Sequence, residues 1–105
     1  MPKVMEELFH SLLNESFDEG YQKITRAITE LGYALIDIAT ALSSLVLETQ
    51  FPPPIHAHIL DKLSNVEYAL SHGCNEKLQI GALVGAFSVA RDMLSVYSKK
   101  EKMEA

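Results

Sequence analysis

The histidines and the single cysteine are the side chains in this 105-residue chain with the clearest capacity for chemistry. His56 and His58 are two residues apart, which places them about 200° apart around a helix, so they cannot share a metal ion. His72 and Cys74 flank Gly73 in a predicted turn and could bind zinc only with ligands from another subunit. An exposed histidine and an ordinary thiol are the simpler interpretation. We therefore predict no metal site.

Two carboxylate arrangements have spacings that occur in enzymes. Glu7 and His10 have the spacing of a di-iron bundle, but such a site needs a second pair and inward-facing carboxylates, where this chain carries apolar residues. Glu30 and Asp37 share a helix face but lie about 10 Å apart along its axis and alternate with Lys23, which is typical of a solvated face. No catalytic triad, phosphate-binding glycine loop or CxxC pair occurs in the sequence. We therefore predict a non-enzymatic protein with no catalytic residue and no cofactor.

The composition is that of an acidic globular protein. Nine Lys and Arg against 14 Asp and Glu give a net charge of -5, which argues against nucleic acid as a partner. The 48% content of hydrophobic residues lies in the globular range. The single cysteine and the charged N-terminal residues, which lack the apolar run of a secretory signal, predict a cytoplasmic protein.

Helical periodicity and capping signals define the predicted elements. Ser16 followed by Glu19 forms a capping box, and apolar residues from Phe17 to Leu45 then recur mainly at spacings of three and four. This heptad seam predicts one long helix over residues 17–48. The prolines at 52–54 end it, and Gly73 and Asn75 are the predicted C-cap and N-cap that separate the last two helices.

These elements predict one all-α domain over residues 1–105. The expected fold is a small antiparallel bundle of three long helices plus a shorter N-terminal helix, heptad-patterned and oligomeric. The predicted helices cover residues 3–15, 17–48, 54–72 and 75–100, followed by a frayed tail at 101–105.

The stretch "LQIGALVGAFSVA", residues 78–90, carries no charge and contains Gly81 and Gly85. A membrane span needs roughly 20 residues, so we predict a buried helix and no membrane span. A glycine in a helix interior costs about 1 kcal/mol relative to alanine. Close packing of a neighbouring helix against these glycines would offset that cost.

Some apolar residues fall outside the faces that the predicted helices can cover. Ile36 and Leu47 lie off the main seam and would face water, as would part of the surface between residues 81 and 86. We therefore predict a homo-oligomer, with a symmetric dimer favoured, that Gly85→Leu would disrupt. The predicted interface comprises Ile36, Leu47, Gly81, Ala82, Gly85 and Ala86.

These observations favour a helical protein-interaction module that self-associates and binds another protein, of the adaptor, chaperone, immunity or antagonist type. The alternative is a small-molecule sensor or sequestering protein with a pocket between helices or at a subunit interface. A bound metabolite would favour the second hypothesis, and a co-purifying protein the first.

Overall fold

Five α-helices and no strand make up the described part of the chain, which in this computed structural model is residues 1–104, with side chains through residue 102. The predicted all-α class is confirmed. The molecule is elongated, with extents of 47 × 24 × 24 Å. The helices are α1 (Lys3–Asn14), α2 (Phe17–Thr29), α3 (Leu35–Glu48), α4 (Pro53–Ser71) and α5 (Glu76–Glu104).

The predicted long helix over residues 17–48 is interrupted in its middle. α2 ends at Thr29, and Gly32 follows with a φ of 78°, a left-handed conformation that ends a helix. Tyr33 N–H then donates to the carbonyl of Ala27 at 3.2 Å. Leu31, which belonged to the predicted seam, is 57% exposed. The prediction of three long helices and a shorter one is therefore wrong, because the chain turns at Gly32.

Both predicted N-terminal caps are present. The Ser16 hydroxyl accepts a hydrogen bond from the backbone N–H of Glu19 at 3.2 Å, which starts α2. The side-chain oxygen of Asn75 accepts from the N–H of Leu78 at 3.1 Å, which starts α5. These short polar side chains satisfy amide groups that have no partner inside the helix, so the local sequence determines where both helices begin.

The other helix ends differ partly from the prediction. Gly73 follows α4 with a φ of 76°, as expected for a C-terminal glycine cap, and the N–H of Cys74 donates to the carbonyl of Ala69 at 3.0 Å. α5 remains helical to Glu104, past its predicted end at residue 100. Ala105, the last residue of the predicted frayed tail 101–105, lies outside the described residues.

One apolar core joins all five helices, and the middle of α5 lies in it. Leu83 and Phe87 of α5 are fully buried. The Phe9 ring packs edge-on against Phe87, with centroids 6.0 Å apart, and against Phe51 at 6.4 Å. α5 packs against α4, α2 and α1, while α3 packs mainly against α4. α5 is therefore the central helix of the bundle.

By length and composition alone, Glu76–Lys102 of α5 could cross a membrane, the one such helix in the described part of the chain. This is weak evidence, because the core helix of a soluble protein meets the same criterion. Here the helix contributes Leu83 and Phe87 to a core shared with other helices. The absence of a membrane span stays a prediction.

The close backbone packing predicted at Gly81 and Gly85 occurs instead at Gly20. A Cβ atom added at Gly20 would lie 3.1 Å from Leu12 Cδ2 and 3.3 Å from Val84 Cγ1, so α2 approaches α1 and α5 closely there. A Cβ at Gly81 would meet nothing within 4 Å, and one at Gly85 would meet its nearest atom at 4.0 Å. Within the chain, the packing role assigned to the two α5 glycines is therefore wrong.

Two glycine-to-alanine substitutions should have opposite effects on stability. Gly32→Ala forces a Cβ into a left-handed conformation and should lower the free energy of unfolding by about 1–2 kcal/mol. Gly81→Ala adds a methyl group in open space inside a helix and should raise it by roughly 0.5–1 kcal/mol. Urea unfolding followed by circular dichroism measures both. A Gly32→Ala variant as stable as the wild type would refute the turn.

Candidate interaction surface

The predicted interface residues do not form one surface. Ile36 and Leu47 of α3 are 37% and 65% exposed, and Ala82 of α5 is also exposed. Gly81 and Gly85 are half-buried. Ala86 is only 5% exposed and belongs to the core, so its assignment to an interface is wrong. Since α3 packs mainly against α4, its two residues and those of α5 lie on helices that scarcely meet.

An open apolar groove lies instead between the start of α4 and the C-terminal half of α5. Its volume is about 400 Å³. We call it the α4–α5 groove, and its walls are formed by Pro52, Pro54, Ile55, Val89, Asp92, Met93, Val96, Tyr97 and Lys100. The prediction of a buried helix over residues 78–90 gave no indication of this groove. The feature of the sequence that could have indicated the groove is the proline run at 52–54. The last helix must pass back along the segment that contains these prolines.

The proline run builds the α4 wall of the groove. Pro53 and Pro54 occupy the first positions of α4. Backbone N–H groups in the first turn have no partner inside the helix, so proline, which lacks an N–H, loses no hydrogen bond there. Pro52 precedes them in an extended conformation with a ψ of 140°. Ile55, only 2% exposed, anchors this start in the core. The result is a rigid start of α4 that places apolar proline rings beside α5.

The α5 wall is a face of the helix that the core leaves uncovered, and it continues past the core. Ala90 is fully buried, whereas residues 95–102 are all exposed. Val89 and Val96, which both line the groove, are 47% and 66% exposed, and Tyr97 is 41% exposed. Adjoining exposed apolar side chains of this kind are typical of an interaction site.

Charge is unevenly distributed along the groove. Lys100 lines it near the end of α5, with Lys99 and Lys102 in the same turn and Glu101 between them. Asp92 lies nearer the middle of the groove. Three of the nine basic residues of an otherwise acidic chain therefore lie near this end of α5, and one of them lines the groove.

A polar network fixes the corner between α1 and α2 against α5. The Lys23 ammonium group donates to the Glu15 carboxylate at 2.6 Å and to the Ser11 hydroxyl at 3.0 Å. The Arg91 guanidinium donates to the backbone carbonyl of Glu15. Because Arg91 directly precedes the groove-lining Asp92, this network holds α5 where it leaves the core. No spacing rule in the sequence connects residues 15 and 91.

The Glu15 carboxylate should make stability depend on pH. The hydrogen bond from Lys23 is the main cause that lowers the pKa of Glu15 below its ordinary 4.5. A lowered folded-state pKa contributes stability above the unfolded-state pKa, and this contribution is lost as the pH falls through the folded-state pKa. Wild type should therefore lose more stability than Glu15→Gln between about pH 7 and pH 3. Urea unfolding across that range measures it, with Glu6→Gln as the control, and parallel curves for wild type and Glu15→Gln would contradict it.

The turn between α4 and α5 carries a second group of exposed side chains. The Tyr68 and His72 rings stack with centroids 4.1 Å apart, and Leu78 is 72% exposed. Cys74 is a free, exposed thiol. Among the described residues, no three His, Cys, Asp or Glu side chains are placed to hold a metal ion. Nε2 of His58 lies 3.3 Å from the carbonyl of Ala86, where it bridges α4 and α5.

A helical bundle with an exposed apolar groove defines the class as a protein-interaction domain. The chain belongs to the family of the replication factor C C-terminal domain, whose family model matches residues 1–86. It is 41% identical over 83 residues to replication factor C subunit 5 of Homo sapiens, covering 79% of this chain and 24% of the human protein.

Two further relatives extend this similarity. Replication factor C subunit 3 of Oryza sativa subsp. japonica is 38% identical over 91 residues, 87% of this chain and 25% of the rice protein. Probable replication factor C subunit 5 of Caenorhabditis elegans is 33% identical over 103 residues, 98% of this chain and 28% of the relative. The chain thus spans about a quarter of the length of the curated relatives it matches. The family model ends before the α5 wall of the groove, whereas the similarity to the nematode protein continues into it.

Two predictions about partners are wrong. The relatives are differently numbered subunits of one factor, which implies an assembly of different subunits. The prediction that the chain pairs with itself, as a homo-oligomer or dimer that Gly85→Leu would disrupt, is therefore withdrawn. The exclusion of nucleic acid as a partner is withdrawn as well, because the relatives are named as subunits of a replication factor. The exposed apolar residues indicated an interface, but they did not indicate which protein covers it.

Proposed function

We propose that this chain is the assembly module of a replication factor C subunit, a non-enzymatic helical domain that binds other, different subunits of the same factor. The α4–α5 groove is the proposed binding surface. The observation that carries the proposal is an exposed apolar groove on a domain whose relatives described above are named as subunits. This role replaces the chaperone, immunity and antagonist types, for which the comparisons offer no support.

The physical case for a protein partner rests on the shape and polarity of the groove. Its lining is apolar except at Asp92 and Lys100, and it is open to solvent. Covering Val89 and Val96 would remove apolar surface from water at roughly 25 cal/mol per Å². The proline rings and Ile55 keep the opposite wall rigid, so little conformational entropy is lost on binding.

A small-molecule sensor is the second function considered. Ligand pockets enclose most of their ligand and place a few converging polar groups around it. The α4–α5 groove is open, and its two charged groups lie on separate turns of one helix. A protein surface matches this geometry better than a metabolite does.

The exposed residues away from the groove are candidates for further subunit contacts. Ile36 and Leu47 on α3 and Ala82 on α5 remain accessible from the originally predicted interface. We also propose that the protein works where its cell replicates DNA, which in a eukaryote is the nucleus rather than the cytoplasm.

Co-expression tests the proposed function. The 105-residue chain with an affinity tag is produced together with the other replication factor C subunits of the same organism. We expect at least one of these subunits to co-purify in a defined ratio after a wash in high salt. Recovery of the chain alone, folded by circular dichroism, would overturn the proposal. Co-purification of an equal amount with an unrelated tagged helical protein would show that the capture is nonspecific and would also overturn it.

A further inference from the structure

We infer that the element filling the α4–α5 groove is an α-helix of a neighbouring subunit that runs antiparallel to α5 and has acidic residues in its first turn, beside Lys100. This inference rests on the proposed function and specifies the partner of the same surface. Three features support it: the hydrogen-bonding state of the walls, the spacing of the α5 residues and the position of the lysines.

The walls offer an incoming strand nothing to pair with. Backbone N–H and C=O groups along α5 are engaged in the helix, and Pro52, Pro53 and Pro54 have no N–H. An extended peptide binds by adding main-chain hydrogen bonds to an exposed sheet edge, and the described residues contain no strand. A helix satisfies its own backbone and needs only apolar contact.

The spacing on α5 matches that of helix packing. The groove-lining residues of α5 follow one another at steps of four, three and four, so they lie in one stripe along the helix: Val89, Met93, Val96 and Lys100. The start of α4 forms the other wall. A third helix with apolar residues at the same spacings can place its side chains between these two walls.

The basic end of the groove sets the direction of the partner helix. Lys100 lines this end, in a chain whose net charge is -5, while Lys99, Glu101 and Lys102 lie beside it on other faces of the helix. Complementary charge on the partner is acidic. Acidic residues are most favourable in the first turn of a helix, where they also oppose the macrodipole. The N-terminus of the partner helix therefore lies beside the C-terminus of α5, which makes the two helices antiparallel.

Photocrosslinking measures both the conformation and the direction of the partner segment. A photoreactive amino acid is placed at Val89 or at Val96, which are about 10.5 Å apart along α5 at 1.5 Å per residue. In the complex with the co-expressed subunits, we expect the two crosslinked partner residues to be about seven positions apart, with the Val96 crosslink nearer the partner's N-terminus. A separation of about three positions, as in a strand, would overturn the helix. The reverse order would overturn the direction.

Charge reversal tests the acidic end. Lys100→Glu should weaken binding of the co-purified subunits about fivefold to tenfold at low salt, with a smaller effect at high salt. Lys62→Glu is the matched control because it changes an exposed lysine of α4 outside the groove lining, and it should bind like wild type. Wild-type binding by Lys100→Glu would overturn the inference and leave the proposed function standing. Failure of the unmodified chain to bind any subunit would overturn both.

Discussion

Val96→Asp is expected to abolish stable association with the other replication factor C subunits while leaving the fold intact. Val96 is 66% exposed in the free chain and lines the α4–α5 groove, so a carboxylate is tolerated there until a partner covers it. Burying that charge against an apolar helix should raise the Kd about 30-fold or more, equivalent to about 2 kcal/mol. Titration calorimetry with the purified partner subunits measures the change.

Leu78→Asp is the matched control for this substitution. Leu78 lies on the same helix and is 72% exposed, but it is in the first turn of α5, away from the groove. An aspartate in the first turn of a helix is favourable, so both stability and binding should be retained. If Leu78→Asp loses binding and Val96→Asp keeps it, the partner occupies the α4–α5 turn and the assignment of the groove is wrong.

Phe87→Ala is expected to remove a large fraction of the protein's stability, about 3–5 kcal/mol, and to lower its Tm accordingly. Phe87 is fully buried, packs edge-on against Phe9 and lies on the central helix of the bundle. Removing a buried phenylalanine ring costs about 3–5 kcal/mol, and small domains have only about 5–15 kcal/mol of stability. Thermal and urea unfolding followed by circular dichroism measure the loss.

Tyr68→Ala serves as the control for Phe87→Ala because it also removes an aromatic ring from a helix. Tyr68 is 68% exposed, and its ring contact is with His72 at the surface. Its removal should cost about 1 kcal/mol or less. Equal losses in the two variants would mean that α5 is not central to the core.

The starts of α2 and α5 and the end of α4 were the parts of the fold that the sequence predicted best. Ser16 and Asn75 act through hydrogen bonds to amides three residues away, and Gly73 acts through its own backbone conformation. Such effects depend only on neighbouring residues. The class of the fold could be predicted for the same reason, since helical periodicity is also a local property.

The turn at Gly32 could not be predicted from periodicity because apolar spacing continues across it. α2 and α3 each bury one face, so residues on both sides of the turn, such as Ile24 and Ile38, match a single seam although they belong to different helices. Leu31 fits the pattern and is nevertheless exposed. The spacing of apolar residues shows which residues can share a buried face, but it does not show whether they belong to one straight helix.

The groove depends on which face of α5 the other helices cover, and this appears only in three dimensions. On α5, Phe87 and Val89 are two residues apart and both apolar, yet the first is fully buried and the second is 47% exposed because they lie on opposite faces of the helix. The sequence pattern also does not identify the partner. Uncovered apolar residues have the same appearance whether a second copy or a different subunit covers them.

Hydrogen exchange on α5 tests most directly the claim that the α4–α5 groove receives another subunit. In the free chain, the amides of residues 95–102 should exchange rapidly, because these turns are exposed and helix ends are only marginally stable. When the other replication factor C subunits are bound, we predict strong protection of these amides and of those at the start of α4. Unchanged exchange there in a stable complex, with new protection elsewhere, would contradict the account.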